Sequence, residues 1–458
     1  MTLMSAEPAD GRLESRRFGA KDSNILFCVG VCAILMTCVV LLISDLRRIK
    51  SGRTGDFEHF FYAAAAVRNH ADPYTAWTQG YIYPPLIAFL FQPLAMLTRS
   101  HAAAVMLAVN VSITFIALWL CADEFLRRFG VSRSNSIIVW IVFFSLLMNV
   151  DKVKGEWQMW QTDVFMLLLF VLALRWQSRL PLAAGIALGI AVNIKYLPLM
   201  FLPYFLIRRQ WKISISMVIG TIAFALLPAI TTGWTQNLRN WQTATAGLLQ
   251  MTCWVNPSHA NAAIEAAQIH DVTDCLSCSI TSAFARSTKN LPHPSAGLIL
   301  AALTAMVALL IAWLIYRRWQ IPMLKTAASR PCAPSDAITA CEWVMLLTAV
   351  LAFSPQTNTR HLFDALFLTS AASVLLIFAR PSVNRLPLLI GCIVLVLGFD
   401  LPPGARVDGR ELPATMSWLR IGGPCCCLLV AGFTLLWTGL AQSRALAVDG
   451  LNISRKSR

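Results

Sequence analysis

Charge is what this sequence has least of. Only 13% of its 458 residues are Asp, Glu, Lys or Arg, against about 25% in an ordinary soluble domain. That shortage excludes a soluble enzyme, a disordered scaffold and a nucleic-acid binder, each of which needs a far more polar surface. Acidic residues are scarcer than basic ones, 23 against 38, which leaves a net charge of +15. No Cys and His spacing resembles a zinc site. Many cysteines (Cys28, Cys32, Cys38, Cys121, Cys392, Cys425, Cys426, Cys427) lie within apolar runs, where a thiol behaves as a small hydrophobe. No small-residue cleavage site follows the first apolar run, which therefore reads as a retained signal-anchor helix. No internal repeat is visible.

What is present is apolar: 57% of residues are hydrophobic and the mean hydropathy is +0.61. Apolar runs fall at 25–43, 101–126, 136–150, 163–176, 180–194, 196–207, 213–232, 296–316, 341–354, 362–379, 386–401 and 422–443. The expected fold class is all-α, a polytopic membrane protein with about twelve transmembrane helices. Residues 1–24 form a basic cytoplasmic N-terminus, 25–443 the transmembrane domain and 444–458 a cytoplasmic tail. The run 82–98 carries Pro84, Pro85 and Pro93. If it does not span, one side of the membrane collects 22 of the 38 Lys and Arg. If it spans, every later basic turn moves outward. The positive-inside rule favours the first arrangement, with 82–98 as an interfacial or re-entrant helix on the outer face. Two long outer loops then appear, 45–100 and 233–295, with shorter ones at 151–162, 355–361 and 402–421. Loops of that length are usually functional. Chemistry gathered on one aqueous face suits an enzyme acting on a membrane-anchored substrate. The alternative, a transporter or flippase of lipid-linked sugars, places its site near the midplane between paired broken helices.

Several constellations on that face carry chemistry. Phe57, Phe60, Phe61 and Ala64 share a helical face, so residues after Gly55 read as an amphipathic helix resting on the membrane. Asp56 opens it, as an N-cap or as a general base for an acceptor hydroxyl; the two roles are compatible. Asp56, Glu58 and His59 form a weaker candidate metal set. Asp72-Pro73-Tyr74 and Tyr81-Ile82-Tyr83-Pro84-Pro85 shape turns, and their Tyr rings offer walls to a sugar or an isoprenyl tail. Gln161 and Asp163 enter a span after Trp157 and Trp160, and polar groups there need partners or a cavity. Lys195 either snorkels or holds a phosphate as a point charge. Arg360 is suited to grip a phosphate with two parallel hydrogen bonds. His361 is suited to donate to a leaving phosphate oxygen or assist a proton shift. Cys253, Cys275 and Cys278 lie in the second outer loop, where an oxidising compartment would pair two of the three.

These residues resemble the pattern of glycosyltransferase family 87, which contains polyprenyl-phosphate-mannose-dependent mannosyltransferases and related arabinofuranosyltransferases. The opening signature is matched by Asp56-Phe57, Tyr62-Ala63-Ala64-Ala65, Asp72-Pro73-Tyr74 and Tyr83-Pro84-Pro85-Leu86. Gln161-Thr162-Asp163, Gly185 through Gly189, Lys195 through Pro198, Pro203-Tyr204, Arg208-Arg209 and Ser354-Pro355 through His361 follow in the family's order. Trp160 stands where the family carries Gly, Asp163 where it carries Asn, and Arg360 where it carries His. The resemblance implies a multi-span C-type glycosyltransferase fold and an inverting transfer of a hexose, mannose foremost, from a polyprenyl-phosphate donor to a lipid-linked or envelope glycan acceptor. Asp56 would be the catalytic base, with His361 beside it. Lys195, Arg360, Gln161, Asp163, Tyr62, Tyr83 and Asn358 would contact substrate. No cofactor is required, a divalent metal is left open, and membrane lipids rather than nucleic acid are the expected partners. The location implied is a bacterial inner membrane, with the site facing the periplasm or exterior.

Overall fold

The computed structural model describes residues 20–252 (apart from 53, 78 and 79), 272–273, 277–291, 296–324, 333–355, 357–400, 406–407, 410–411 and 418–456. The molecule is an all-α polytopic membrane protein. Every apolar run named above falls on a helix. Extended pairing among the described residues is confined to a two-residue antiparallel ladder, Arg406–Val407 against Arg410–Glu411, and one bridge between Ser277 and Asn358.

Seven helices are long and apolar enough to cross a membrane, and the pair Asn135–Leu147 and Val150–Met159, bent by 77°, would make an eighth. That is fewer than the twelve spans expected from the runs. The difference lies in length. Asp163–Trp176, Pro181–Val192 and Leu386–Asp400 have 14, 12 and 15 residues, or about 20 Å at 1.5 Å per residue, against a core of about 30 Å. Asp163–Trp176 packs on Arg99–Arg128, Pro181–Val192 on Trp211–Leu226 and Leu386–Asp400 on Gly423–Lys456, each a longer helix. The proline-rich run 82–98 becomes a helix Pro85–Leu90 and a 3-10 turn Leu94–Met96, both too short to cross. One bent pair exists among the described residues, where a transporter of repeated design would carry two.

Two expectations about the outer segments change. The amphipathic helix Phe57–Arg68 turns its apolar face into the protein, not onto lipid: Phe57, Phe60, Ala63, Ala64 and Val67 are all buried. The Phe60 ring packs on Tyr83 at 4.9 Å and Phe91 at 6.0 Å. The segment 151–162, expected as a shorter outer loop, is mostly the helix Val150–Met159. Its Lys152 is buried and donates to the Phe399 carbonyl at 3.1 Å, so the charge has an internal partner.

The helix Asp163–Trp176 has chemically different ends. At its C-terminal end Arg175 pairs with Asp123 at 2.6 Å, Arg133 joins the same carboxylate at 2.7 Å, and Glu124 takes Arg127 and Arg128 at 2.5 and 2.7 Å. The positive-inside rule places the basic turns at Arg127–Arg133 and Arg175–Arg179 in the cytoplasm. Its N-terminal end carries Asp163 and the candidate site, so the two layers lie about 20 Å apart.

The helix pair Pro181–Val192 and Trp211–Leu226 approaches closely through small residues, as apolar helices do when dispersion and backbone contact replace the hydrophobic drive. A Cβ on Gly189 would lie 2.6 Å from the Thr221 nitrogen and 2.7 Å from the Gly220 carbonyl carbon. Beyond that crossing Asn193 donates to the carbonyls of Gly189 at 2.8 Å and Thr221 at 2.9 Å. This fixes the start of the segment that carries Lys195. Replacing Gly189 with Ala places a methyl group against backbone that cannot yield. The expected cost is about 1–3 kcal/mol, read as a lower unfolding temperature of the detergent-solubilised protein.

Candidate active site

Gly55 has a φ of +51°, and a Cβ there would meet Met159 Sδ at 2.9 Å and the Gln158 carbonyl at 3.1 Å. Only glycine combines that backbone with that approach, so the chain at Gly55 is pressed onto the 158–161 corner. The next residue, Asp56, occupies the N-cap position of Phe57–Arg68 yet makes no side-chain cap. Its Oδ2 accepts instead from Gln161 Nε2 and from Arg360 Nη1, the latter at 2.5 Å. Glu58 turns away to Arg99 at 3.0 Å and Thr54 at 2.9 Å. The His59 ring donates from Nδ1 to the Gly80 carbonyl at 2.6 Å. The candidate metal set Asp56, Glu58 and His59 therefore does not converge.

The tyrosine motif divides into structural and site members. Asp72 Oδ1 accepts from the Tyr74 backbone at 2.8 Å, an Asx turn. The Tyr74 hydroxyl donates to the Tyr83 carbonyl at 2.9 Å and the Tyr81 hydroxyl to the Pro84 carbonyl at 2.8 Å. Both rings are buried, so they fasten the turn and form no open wall for a sugar. The turn delivers Tyr83, whose hydroxyl donates to Gln161 Oε1 at 3.3 Å. Burial pushes the Tyr83 phenol up to about 12, with the nearby Lys195 ammonium pulling the other way, so Tyr83 remains a neutral donor. Tyr62 stacks face to face on Trp77 at 4.2 Å; its partner is not a member of the Asp56 cluster.

Gln161 sits at a corner between two helices. Trp160, just before it, has a φ of +51°, where a residue with a Cβ costs about 1–2 kcal/mol. Its indole is fully buried and donates to the Ala103 carbonyl at 3.0 Å. The Gln161 carbonyl accepts from Asn110 at 3.1 Å. Glu156 Oε1 takes the backbone N–H groups of Asp163 at 2.9 Å and Val164 at 3.3 Å, capping the helix Asp163–Trp176 from a distance. Lys195 Nζ meets Asp163 Oδ1 at 2.5 Å and lies 5.7 Å from the Tyr83 ring centroid. Burial works against the ammonium, but the Asp163 carboxylate outweighs it and holds Lys195 above its ordinary pKa. Asp364, also buried, lies within the fields of Asp163 and Lys195. Lys195 thus contacts Asp163 directly, with the acidic side chains of Glu156 and Asp364 within its field. Glu156 and Asp364 were not singled out from sequence; the available signal was an acidic side chain at the edge of an apolar run.

The fourth piece is the turn before His361–Asp364, a 3-10 helix. Asn358 Oδ1 accepts from the backbones of Arg360 at 2.9 Å and His361 at 3.3 Å, so Asn358 shapes the turn that presents both. Asp56, Gln161, Tyr83, Lys195, Asp163 and Arg360 form one continuous chain of contacts, with Asn358 and His361 at its edge. The two cations expected to await a phosphate each hold a carboxylate: Arg360 holds Asp56 and Lys195 holds Asp163.

Together the bundle and this cluster define a multi-span membrane protein with a carboxylate-and-cation cluster in one helix-end layer. The model described as glycosyltransferase family 87 matches residues 81–355, more than half of the chain. The chain belongs to that family. The matched stretch holds Tyr83, Gln161, Asp163 and Lys195; Asp56, Arg360 and His361 lie outside it. The chain is also similar to two curated proteins named polyprenol-phosphate-mannose-dependent alpha-(1-2)-phosphatidylinositol mannoside mannosyltransferase. The one from Mycolicibacterium smegmatis is 24% identical over 188 residues, 38% of this chain and 41% of the relative. The one from Mycobacterium tuberculosis is 25% identical over 169 residues, 35% and 39% of the two chains. The aligned stretch thus spans about two fifths of each relative.

The charge arrangement gives a direct test. Lys195→Met leaves Asp163 buried without its cation, a change that costs about 3–5 kcal/mol for a desolvated pair. The unfolding temperature in detergent should fall sharply, whereas Lys195→Arg should recover part of the loss.

Proposed function

We propose that this protein transfers a hexose, mannose in the first instance, from a polyprenyl-phosphate donor to a lipid-linked or envelope glycan acceptor, with inversion at the anomeric carbon. Family membership supports the transferase class, and the names of the two mycobacterial relatives support the donor. The observation that carries the mechanism is the contact of Asp56 with Arg360: a carboxylate and a guanidinium already meet where a base and a phosphate receiver are both needed.

The acceptor hydroxyl approaches Asp56, which takes its proton. The hydroxyl oxygen bonds to the anomeric carbon as the bond from that carbon to the phosphate oxygen breaks, and the electron pair leaves on the phosphate. Developing phosphate charge is met by Arg360 and His361, with the Lys195 ammonium beside the Tyr83 ring as a further cation of the cluster; this is electrostatic stabilisation by groups placed beforehand. Arg360 is engaged by Asp56. A donor phosphate competes for that guanidinium with two parallel acceptors. Its arrival draws Arg360 off the carboxylate and frees the base, so the donor binds before the acceptor is activated. Gln161 keeps Asp56 aimed, and Tyr83 keeps Gln161 from flipping. The site layer faces the periplasm or exterior of an inner membrane, in keeping with the basic turns at the opposite ends of the helices.

The test is turnover by purified protein in detergent with labelled polyprenyl-phosphate mannose and mixed envelope acceptors. Asp56→Asn should abolish transfer with an unchanged unfolding profile; full activity in that variant ends the base assignment. Arg360→Gln should raise the donor KM and lower kcat by about 10²-fold or more, the usual scale for one oxyanion-stabilising group. An unchanged donor KM would show that Arg360 serves Asp56 alone.

A further inference from the structure

The turn that carries Arg360 is held from outside by a short segment of the second outer loop. Ser277 bridges Asn358, the Cys278 backbone donates to the Thr357 carbonyl at 2.8 Å, and Ser277 Oγ donates to the Pro355 carbonyl at 2.9 Å. The helix that follows, Ile280–Thr288, adds Thr281 on the Phe353 carbonyl at 2.6 Å and Ser282 on the Pro355 carbonyl at 2.7 Å. The same segment lies against the entry of the last helix, Gly423–Lys456. A Cβ on Gly422 would meet the Ser279 carbonyl at 3.2 Å, and Arg286 donates to the Arg420 carbonyl at 2.7 Å. At this seam two fully buried thiols face each other, Cys278 and Cys425, with their sulfurs 4.0 Å apart. Their other contacts are weak: Cys278 to the Thr357 carbonyl at 3.4 Å and Cys425 to the Leu351 carbonyl at 3.8 Å. A disulfide needs sulfurs about 2.05 Å apart, a closure of about 2 Å from the present separation.

We infer that Cys278 and Cys425 are joined by a disulfide that fastens the clamp on the Arg360 turn to the last helix. The pairing expected from sequence was among Cys253, Cys275 and Cys278; Cys253 and Cys275 lie outside the described residues, and the neighbour of Cys278 comes from a run read as membrane-embedded. The inference rests on the outward-facing reading of this layer, because such bonds persist in oxidising compartments. The two thiols give up two protons and two electrons in forming the S–S bond. A disulfide-bearing oxidant takes them up by thiol–disulfide exchange and leaves as a dithiol.

The experiment uses the full chain, with thiols alkylated in intact cells and again on solubilisation, then proteolysis without reduction and mass analysis. The expected result is a peptide joining Cys278 to Cys425 that disappears on reduction and is missing from Cys278→Ser and Cys425→Ser. Recovery of both residues as alkylated thiols overturns the inference. A parallel Ser51→Cys variant, probed on intact cells with a membrane-impermeant maleimide, separates the two ways of failing. Free thiols with Ser51→Cys labelled reject the pair itself. Free thiols with Ser51→Cys protected reject the outward orientation on which the pair rests.

Discussion

A buried charge at the mouth of an apolar bundle survives only against an opposite charge with good geometry. That constraint organises this molecule from the pair Lys195 and Asp163 outward. Asp163 opens its helix where backbone N–H groups favour an anion, and Glu156 Oε1 accepts from the N–H groups of Asp163 and Val164. One lysine is then left facing Asp163, Glu156 and Asp364. It must be placed accurately, and the path that places it is long. The close helix crossing at Gly189 sets the end of Pro181–Val192, Asn193 ties that end to Thr221, and Lys195 follows. The packing of two apolar helices and the position of one ammonium are therefore a single structural fact.

The second pair, Asp56 with Arg360, differs in one respect that bears on chemistry. Arg360 and Asp56 are about one third exposed, while Lys195 and Asp163 are nearly enclosed. An enclosed pair is held by the absence of alternatives. A pair open to solvent exchanges partners at small cost, since water and entering ions replace what is given up. The site thus has a fixed half and an exchangeable half, bridged by Gln161 with Tyr83 behind it. A substrate that brings its own anion meets the exchangeable half, and the fixed half keeps the scaffold from following it.

The fold was legible from composition because apolar runs and helices coincide. The number of spans was not, since a run of 12 to 15 residues reads the same whether it faces lipid or is shielded by neighbours. The site was legible where a residue's chemistry conflicted with its surroundings. Gln161, Asp163, Lys195 and Arg360 are polar groups at apolar helix mouths, and the structure joins them. Legibility failed where chemistry agreed with a plausible local role. Tyr74 and Tyr81 looked like ring walls and are fasteners. Lys152 and Glu156 looked like a solvated loop and are buried. In each case the deciding information was the partner itself: the Pro84 turn three residues on, Phe399 far along the chain, or the start of the next helix.

Trp160 shows why departures from a family pattern must be judged by backbone and not by side chain. Tryptophan is about as unlike glycine as a residue can be, and on chemistry alone its presence before Gln161 counts against a shared corner. The corner itself is specified by a left-handed backbone at that position. Glycine reaches it without cost; any other residue must offset the strain. The Trp160 indole does so by complete burial and by a hydrogen bond to Ala103 on the long helix Arg99–Arg128. Burial of so large a side chain is worth more than the strain it offsets. The replacement therefore preserves the turn that aims Gln161 at Asp56, and it adds a tie between that turn and the bundle that glycine does not provide.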